Sequence, residues 1–334
     1  VRDLSIVICA HNAAKRILPV LNALSQQRAD GVKWETIVVA NACTDETERV
    51  ALEFGQSHSL EVRVVVEPKP GLSHARRRGV EEACGRIISF VDDDNIVREN
   101  WVANCVRFME ANPKAGVVGG RIKPRFVDPA SKPFDFDERF AGALACWDHG
   151  DHPMRYPPPV YYPPCGAGLT MRRETLLYIF RECGCHLSDR TGSRLISGGD
   201  YELGLLALKM GGEAWYTPEL EMEHVLPPGR LTDSYLKKLQ MGNVQSEFWL
   251  NYLSGKMPQC SRRWYLKEAV LKQVAALRCK VFTFRGRGSA ANETIAEEHT
   301  LRAQGAWRLF KEYPFERVER AIARYRNSSS IINS

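Results

Sequence analysis

The sequence predicts an α/β protein: a Rossmann-like, mostly parallel sheet flanked by helices, with a helical C-terminal extension. Three observations predict it. Apolar runs of strand length at residues 4–10, 35–40, 61–66 and 87–91 alternate with stretches of helical period. Polar or acidic residues follow each run: His11-Asn12, Asn41, the Pro70 to Arg78 segment, and Asp92 to Asn95. In a parallel sheet these loops share one edge, the edge at which open α/β sheets bind ligands. After Thr232 the strand-like runs stop, and only helical periods follow.

The elements can be justified in order. LSIVICA (4–10) is continuously apolar, as a strand buried on both faces should be. AAKRILPVLNALSQQ follows at helical spacing, and Pro19 must lie near that helix's start, where its missing N–H costs nothing. After the second strand, TDETERVALEFG places Asp45 and Glu48 at capping-box spacing, with Thr44 as an alternative cap. EVRVVV (61–66) is the third strand, and a helix from Gly71 to Cys84 feeds the fourth, which Gly85 bounds. Residues 101–112 read as a helix and 116–122 as a strand. The aromatic and proline-rich stretch 124–164 reads as a shaped loop region whose Trp147, Tyr156, Tyr161 and Tyr162 serve packing or sugar stacking. SYLKKLQMGNVQSEFWLNYL and WYLKEAVLKQVAALRCKVFTF are the helical candidates of the extension.

Composition narrows the classes. With 334 residues, 44% hydrophobic and 26% charged, the chain suits one large domain with an appendage, or two domains, and not disorder. Neither a spanning apolar run of ~20 residues nor a signal-peptide layout is found, so a cytoplasmic location is expected. The ten cysteines form no CxxC pair and read as reduced core thiols. Cys183, Cys185 and His186 lack a second ligand pair, so no zinc site is assigned. From Gly255 onward 16 Lys or Arg face 7 Glu and no Asp, a surplus of nine that leaves residues 1–254 at −3. Basic and aromatic residues interleaved on helices suit an anionic membrane surface, at about 1 kcal/mol per basic group, or packing against the rest of the chain with a solvated basic face. No nucleic-acid module is present, and no G-x-G-x-x-G follows an early strand, which sets aside a dinucleotide oxidoreductase.

Candidate chemistry sits on the predicted loops. Asp92-Asp93-Asp94 gathers oxygens that suit a hard divalent cation bridging phosphates, or forms a solvated acidic turn. Asn41 offers an amide to a base, and Arg76 near a helix start offers a charge to a phosphate. Arg77 and Arg78 read as a solvated helix face.

Together these motifs make the first ~230 residues resemble family 2 glycosyltransferases, the inverting, nucleotide-sugar-dependent enzymes of the GT-A fold. The resemblance rests on His11-Asn12, the ANACTD turn, the Gly71-Leu72-Ser73, Ala75-Arg76 element, and the DXD at Asp92-Asp93-Asp94. It continues through the small residues Cys165 to Leu169 before Arg172-Arg173, the SGGDYEL segment, and His224 with Arg230. It implies nucleotide-sugar binding by Ala10, His11, Asn12, Asn41, Arg76, Asp92 and Asp93, and Mg²⁺ or Mn²⁺ at Asp94 and His224. Asp200 becomes the general base, and Gly166, Ala167, Gly168, Glu202 and Arg230 weaker acceptor or diphosphate contacts. Three positions depart from the family: Asn41 stands where an Asp is common, Arg77 where an Asn is usual, and Gly199 where the base's Glu neighbour is usual. The donor nucleotide is therefore left open among UDP, GDP and dTDP. The expected organisation is a catalytic domain over 1–235, with a donor half 1–122 and an acceptor half 123–235, then a basic helical extension over 236–334. The implied function is sugar transfer to a glycan or lipid-linked acceptor in surface polysaccharide or lipid-linked glycan synthesis, peripheral to the inner membrane face. A non-catalytic sugar-nucleotide-binding or scaffold protein, and a sugar-nucleotide pyrophosphorylase, are the alternatives; the second lacks a Gly-rich loop at His11 to Lys15.

Overall fold

The computed structural model describes residues 2–187, 189–190, 197–282 and 290–332. The alternating pattern forms as expected: β1 (Arg2–Ala10), α1 (Ile17–Ser25), β2 (Trp34–Asn41), α2 (Thr47–Ser57), β3 (Val62–Glu67), α3 (Leu72–Glu82) and β4 (Gly85–Phe90). A short β5 (Asn95–Val97), α4 (Trp101–Ala111) and the long β6 (Ala115–Phe126) follow. The aromatic segment then contributes α5 (Phe136–Arg139) and β7 (Met154–Arg155), and β8 (Thr170–Arg172) and α6 (Arg173–Tyr178) follow it. Next come α7 (Gly199–Lys209) and β9 (Glu213–Leu226), and the extension is α8 (Asp233–Val244), α9 (Glu247–Leu253), α10 (Arg262–Phe282), α11 (Ala290–Glu312) and α12 (Phe315–Ile332).

The sheet runs β3-β2-β1-β4-β8-β6-β9-β5, with β7 added on β9. The first four strands are parallel, β8 is antiparallel to both β4 and β6, and β6 pairs with β9 in parallel. Both faces of the parallel part are covered, so Leu4, Ile6, Val7, Ile8 and Ala10 are all fully buried, which explains the unbroken apolar run. Helix α3 lies very close to the sheet: a Cβ at Gly79 would stand 2.3 Å from Val7 Cγ1.

Local details correct two expectations. No capping box closes at α2. Asp45 instead accepts the Thr47 N–H at 3.1 Å and the Ala14 N–H at 3.0 Å, tying the loop after β2 to the loop after β1. The periodic stretch after Thr232 is two helices, because the chain turns at Gln245-Ser246. There Ser246 Oγ donates to Ser197 O at 2.8 Å, and Gly305 of α11 is packed so closely on Gln245 that a Cβ would stand 2.4 Å from its carbonyl oxygen.

The extension packs onto the sheet-bearing part. Trp249, Tyr252, Tyr265, Phe315 and Val318 are buried in one cluster with Phe90, Leu203 and Leu206. Among the described residues one surface of α10 has no such cover: Val270, Leu271, Val274 and Leu277 are 54%, 49%, 42% and 61% exposed. No helix of the described residues is long and apolar enough to cross a membrane.

Candidate active site

A cleft of about 290 Å³ opens along the carboxyl edge of the parallel strands. Of the residues singled out from sequence, it is lined by Ala10, His11, Asn41, Arg76, Asp92, Asp93, Asp94, Gly166, Ala167, Asp200, His224 and Arg230. They come from β1 and the loop after it, β2, α3, the turn after β4, the segment before β8, α7, the end of β9 and the turn that follows it, so the fold gathers residues more than 200 positions apart.

The acidic turn is differentiated within itself. Asp93 is gripped by a two-pronged guanidinium, Arg16 Nε and Nη2 donating to its oxygens at 2.8 and 2.7 Å. Burial pushes the Asp93 carboxyl up to about 6 against that pull. Asp92 accepts no side-chain hydrogen bond from the described residues. Burial first and then the Asp94 charge raise its pKa, while Arg76 and Arg190 oppose.

Asp94 sits in a three-part contact. Arg230 Nη2 approaches its Oδ2 at 2.8 Å, and Arg230 Nη1 donates to His224 Nε2 at 2.9 Å. His224 Nδ1 meets the Leu144 carbonyl at 2.7 Å. A carbonyl only accepts and a guanidinium only donates, so Nδ1 carries the hydrogen and Nε2 presents a lone pair. The ring's Nε2 lies 3.7 Å from Asp94 Oδ1. Burial alone would raise the Asp94 carboxyl, yet the His224 and Arg230 contacts hold it below the usual carboxylate range.

Asp200 lies in the first turn of α7. Its Oδ2 accepts the Gly166 N–H at 2.6 Å and its Oδ1 the Tyr201 N–H at 2.9 Å. Two of its roughly four acceptor positions remain, enough to take a proton. The Gly166 contact demands glycine: a Cβ would stand 2.3 Å from Arg76 Nη2 and 3.2 Å from Asp200 Oδ2.

Other expected site residues fall elsewhere. Glu202 is fully buried and away from the cleft, because its carboxylate accepts the backbone N–H groups of His186 (2.8 Å) and Leu187 (3.0 Å) and Trp249 Nε1 (2.7 Å). Gly168, at φ +73°, does not line the cleft; a side chain there would meet Met222 and Trp101, so the small residue serves core packing. Asn12 is also off the lining, its Oδ1 accepting the Thr44 N–H at 2.8 Å. Asn41 lines the cleft, but its Nδ2 donates to Glu67 O and Lys69 O and its Oδ1 accepts the Gly71 N–H. The amide assigned to a base shapes the loop before α3, holding Gly71 at φ 132°, a conformation natural only for glycine.

Sequence reasoning missed Arg16, Asp189, Arg190 and Tyr235, all on the lining. Asp189 matters most. It is buried, its Oδ1 accepts the Gly199 N–H at 2.7 Å, and its Oδ2 accepts from Arg76 Nη1 at 2.9 Å. A Cβ at Gly199 would stand 2.2 Å from that carboxylate. The space beside the Asp200 backbone is therefore filled by a carboxylate from elsewhere in the chain, and position 199 must be bare. Ile196, just before the SGGDYEL segment, lies outside the described residues.

Among the described residues no three His, Cys, Asp or Glu side chains converge as a metal cage. The Asp94–His224 pair nonetheless fits a cation, since a cationic group, the Arg230 guanidinium, already contacts both. Its 3.7 Å separation is within the ~4.2 Å that two ligands at ~2.1 Å can span.

A cleft at the carboxyl edge of parallel strands, with clustered carboxylates opposed by arginines, defines a protein built to handle a phosphorylated ligand. Residues 5–158, just under half of the chain, match the model described as glycosyl transferase family 2, which marks the chain as a glycosyltransferase. It is 26% identical, over 72% of its length and 74% of the relative's, to the glucosyl-dolichyl phosphate glucuronosyltransferase of Haloferax volcanii. It is 32% identical to the 4,4'-diaponeurosporenoate glycosyltransferase of Staphylococcus aureus, over 40% of this chain and 36% of that one. A crystal structure of S. aureus TarS 1-349 in complex with UDP aligns over 93% of this chain and 91% of that chain, at 15% identity and a TM-score of 0.49.

Proposed function

We propose that the chain transfers a sugar from a nucleoside diphosphate donor to an acceptor hydroxyl with inversion at the anomeric carbon, Asp200 acting as general base. The observation that carries this reading is one cleft holding both a carboxylate with free acceptor positions, Asp200, and a set of paired acids and arginines suited to a diphosphate.

The residues divide the work. Arg76 and Arg190 face the side on which a diphosphate's charge would build, and Asp92, not occupied by a side-chain donor, is free to accept hydroxyls of a ribose. Asp94 and His224 would hold Mg²⁺ or Mn²⁺, with Arg230 turning from them toward the phosphates. Bound there, a divalent cation would supply charge neutralisation to the leaving diphosphate. Asp200 accepts the proton of the attacking hydroxyl, and its two backbone N–H bonds fix the direction from which that hydroxyl comes. Asn41, spent on its own loop, leaves base recognition to backbone and to His11, so the donor stays open among UDP, GDP and dTDP.

The relatives act, by their names, on glucosyl-dolichyl phosphate and on 4,4'-diaponeurosporenoate. They support a lipid-linked acceptor over a free sugar. The chain spans only 36% of the second relative, so its whole activity is part of the proposal. The exposed Val270, Val274 and Leu277 of α10 share their helix with Arg263, Lys267 and Arg278, a combination suited to lying on an anionic membrane where such acceptors reside. We divide the chain accordingly into a donor half (1–122), an acceptor half (123–235) and a helical extension (236–334).

The scaffold alternative drew on the missing Glu before Asp200; the Asp189 carboxylate, which accepts the Gly199 N–H, supports the catalytic reading by placing an acid beside that position.

Calorimetry with UDP, GDP and dTDP, with and without Mn²⁺, tests the reading on the full chain and on Asp94→Ala. Metal-assisted binding of one nucleotide, weakened in the variant, is expected. Absence of binding to all of them refutes the donor assignment.

A further inference from the structure

Beside the cleft lies a second cavity of about 240 Å³ whose chemistry is different. Trp147, His149, Tyr156, Tyr162 and Tyr201 supply rings, Ile122, Pro163 and Pro164 supply apolar surface, and among the described residues no Asp, Glu, Lys or Arg lines it. The cleft, in contrast, holds five aspartates and four arginines. The two spaces share Cys165 and Ala167. Between those residues, Gly166 donates its N–H to Asp200, and Tyr201 of the second cavity directly follows Asp200 in the chain. Asp200 therefore stands in the wall that separates a charged space from a neutral aromatic one.

The rings are held in place by one another. His149 stacks on Trp147 at 6.0 Å and 21° and meets Tyr156 and Tyr216 edge-on at 5.8 and 5.0 Å. Tyr162 meets Tyr201 edge-on at 5.9 Å. From the helical extension, Lys256 reaches over Tyr161 and Tyr162 at 4.7 and 4.1 Å and bonds the Tyr162 hydroxyl at 2.9 Å. One wall of the cavity is thus positioned by a residue of the extension.

We propose that this cavity is the acceptor subsite and binds a neutral pyranose ring, the sugar whose hydroxyl is presented to Asp200. The proposal rests on the glycosyl-transfer reading above. Three features select a sugar ring. Among the described residues no ionised side chain in the lining would pair with a phosphate or carboxylate, and Lys256 is engaged with the Tyr161 and Tyr162 rings. Aromatic faces with phenol, imidazole and indole edges match the C–H faces and hydroxyl rim of a pyranose. A long isoprenoid chain has no hydroxyl rim to meet the phenol, imidazole and indole edges, so the lipid of a lipid-linked acceptor would lie outside this cavity. In the step itself the acceptor oxygen forms its bond to the anomeric carbon, and the carbon–oxygen bond to the diphosphate breaks. The electron pair leaves with the diphosphate and the hydroxyl proton passes to Asp200.

The test is ligand-observed saturation-transfer NMR on the full chain with methyl glucoside, galactoside, mannoside and N-acetylglucosaminide, and with n-octanol as the apolar-chain probe. Two variants localise the binding: Tyr162→Ala, at a residue 63% exposed, and Trp147→Leu, at one 38% exposed. The expected result is saturable binding of at least one pyranoside, weakened at least tenfold in both variants, with nucleotide calorimetry unchanged. No pyranoside binding, binding indifferent to both variants, or octanol binding lost in the variants in place of sugar binding would overturn the proposal. Pyranoside binding that obeys the variants in a protein that binds no nucleotide would support the cavity and sink the donor reading alone.

Discussion

Arg230 places the cation question within reach of a direct measurement. Its guanidinium contacts Asp94 at 2.8 Å and His224 at 2.9 Å, with the Asp94 side chain 10% exposed and that of Arg230 23% exposed. A hydrogen bond to a charged group contributes ~1.5–3 kcal/mol. A divalent cation seeking Asp94 and His224 must displace at least one such bond, so the guanidinium lowers the affinity of the free protein by that amount. Arg230→Ala removes the competitor and leaves both ligands. At 1.4 kcal/mol per tenfold, Mn²⁺ affinity without nucleotide should rise by about 10–100-fold. In the presence of the bound nucleotide the gain should shrink, because the arginine is then spent on phosphates. Free Mn²⁺ followed by electron paramagnetic resonance measures both states, with Asp94→Asn as the variant that should lose binding. Unchanged Mn²⁺ affinity in Arg230→Ala would refute the competition, and tight Mn²⁺ binding by Asp94→Asn would move the cation to another site.

Three further outcomes follow from the same contacts. Asp200→Asn keeps the size and the contact with Gly166 but not the proton acceptor, so turnover should fall ~10²-fold or more while nucleotide affinity by calorimetry is kept; equal turnover would exclude general-base catalysis. Asp189→Asn leaves the buried Arg76 without its carboxylate, which should cost about 3–5 kcal/mol in denaturant unfolding; a loss below ~1 kcal/mol would mean that the pair is not what keeps Arg76 in place. Glu35 is buried 3.2 Å from Arg63 and also accepts from Ser5 Oγ and the Cys84 N–H. Burial alone would raise its pKa, but these contacts lower it, so its contribution is present above the unfolded-state pKa and lost as pH falls through the folded-state one. Thermal scans should therefore show a steeper stability loss below about pH 4 in the native chain than in Glu35→Gln; parallel curves would contradict this.

The sheet was legible in the sequence because a buried parallel strand has to be apolar at every position, and residues 4–10 and 87–91 satisfy that condition without any knowledge of their neighbours. The acidic turn was legible for a related reason, since three carboxylates at the end of such a strand have no packing role. What escaped was whatever depends on a partner far along the chain. Glu202 and Asp200 are two residues apart and look alike in sequence; only the fold shows that one faces the cleft while the other is sunk under Trp249. Asn41 looked like a reader of bases because its donors and acceptor are invisible until Glu67, Lys69 and Gly71 come round to consume them. Asp189 shows the converse. Nothing around it in the sequence marks it as a site residue, yet the bare position at Gly199 is its imprint: a missing side chain beside a catalytic candidate signals that another group needs the space. The same logic applies to Gly166, whose lack of a Cβ lets Arg76 and Asp200 close on one backbone N–H. Glycines flanking a candidate base are therefore worth reading as the outlines of neighbours, and in this chain the two of them locate the arginine and the carboxylate that pattern alone left unpaired.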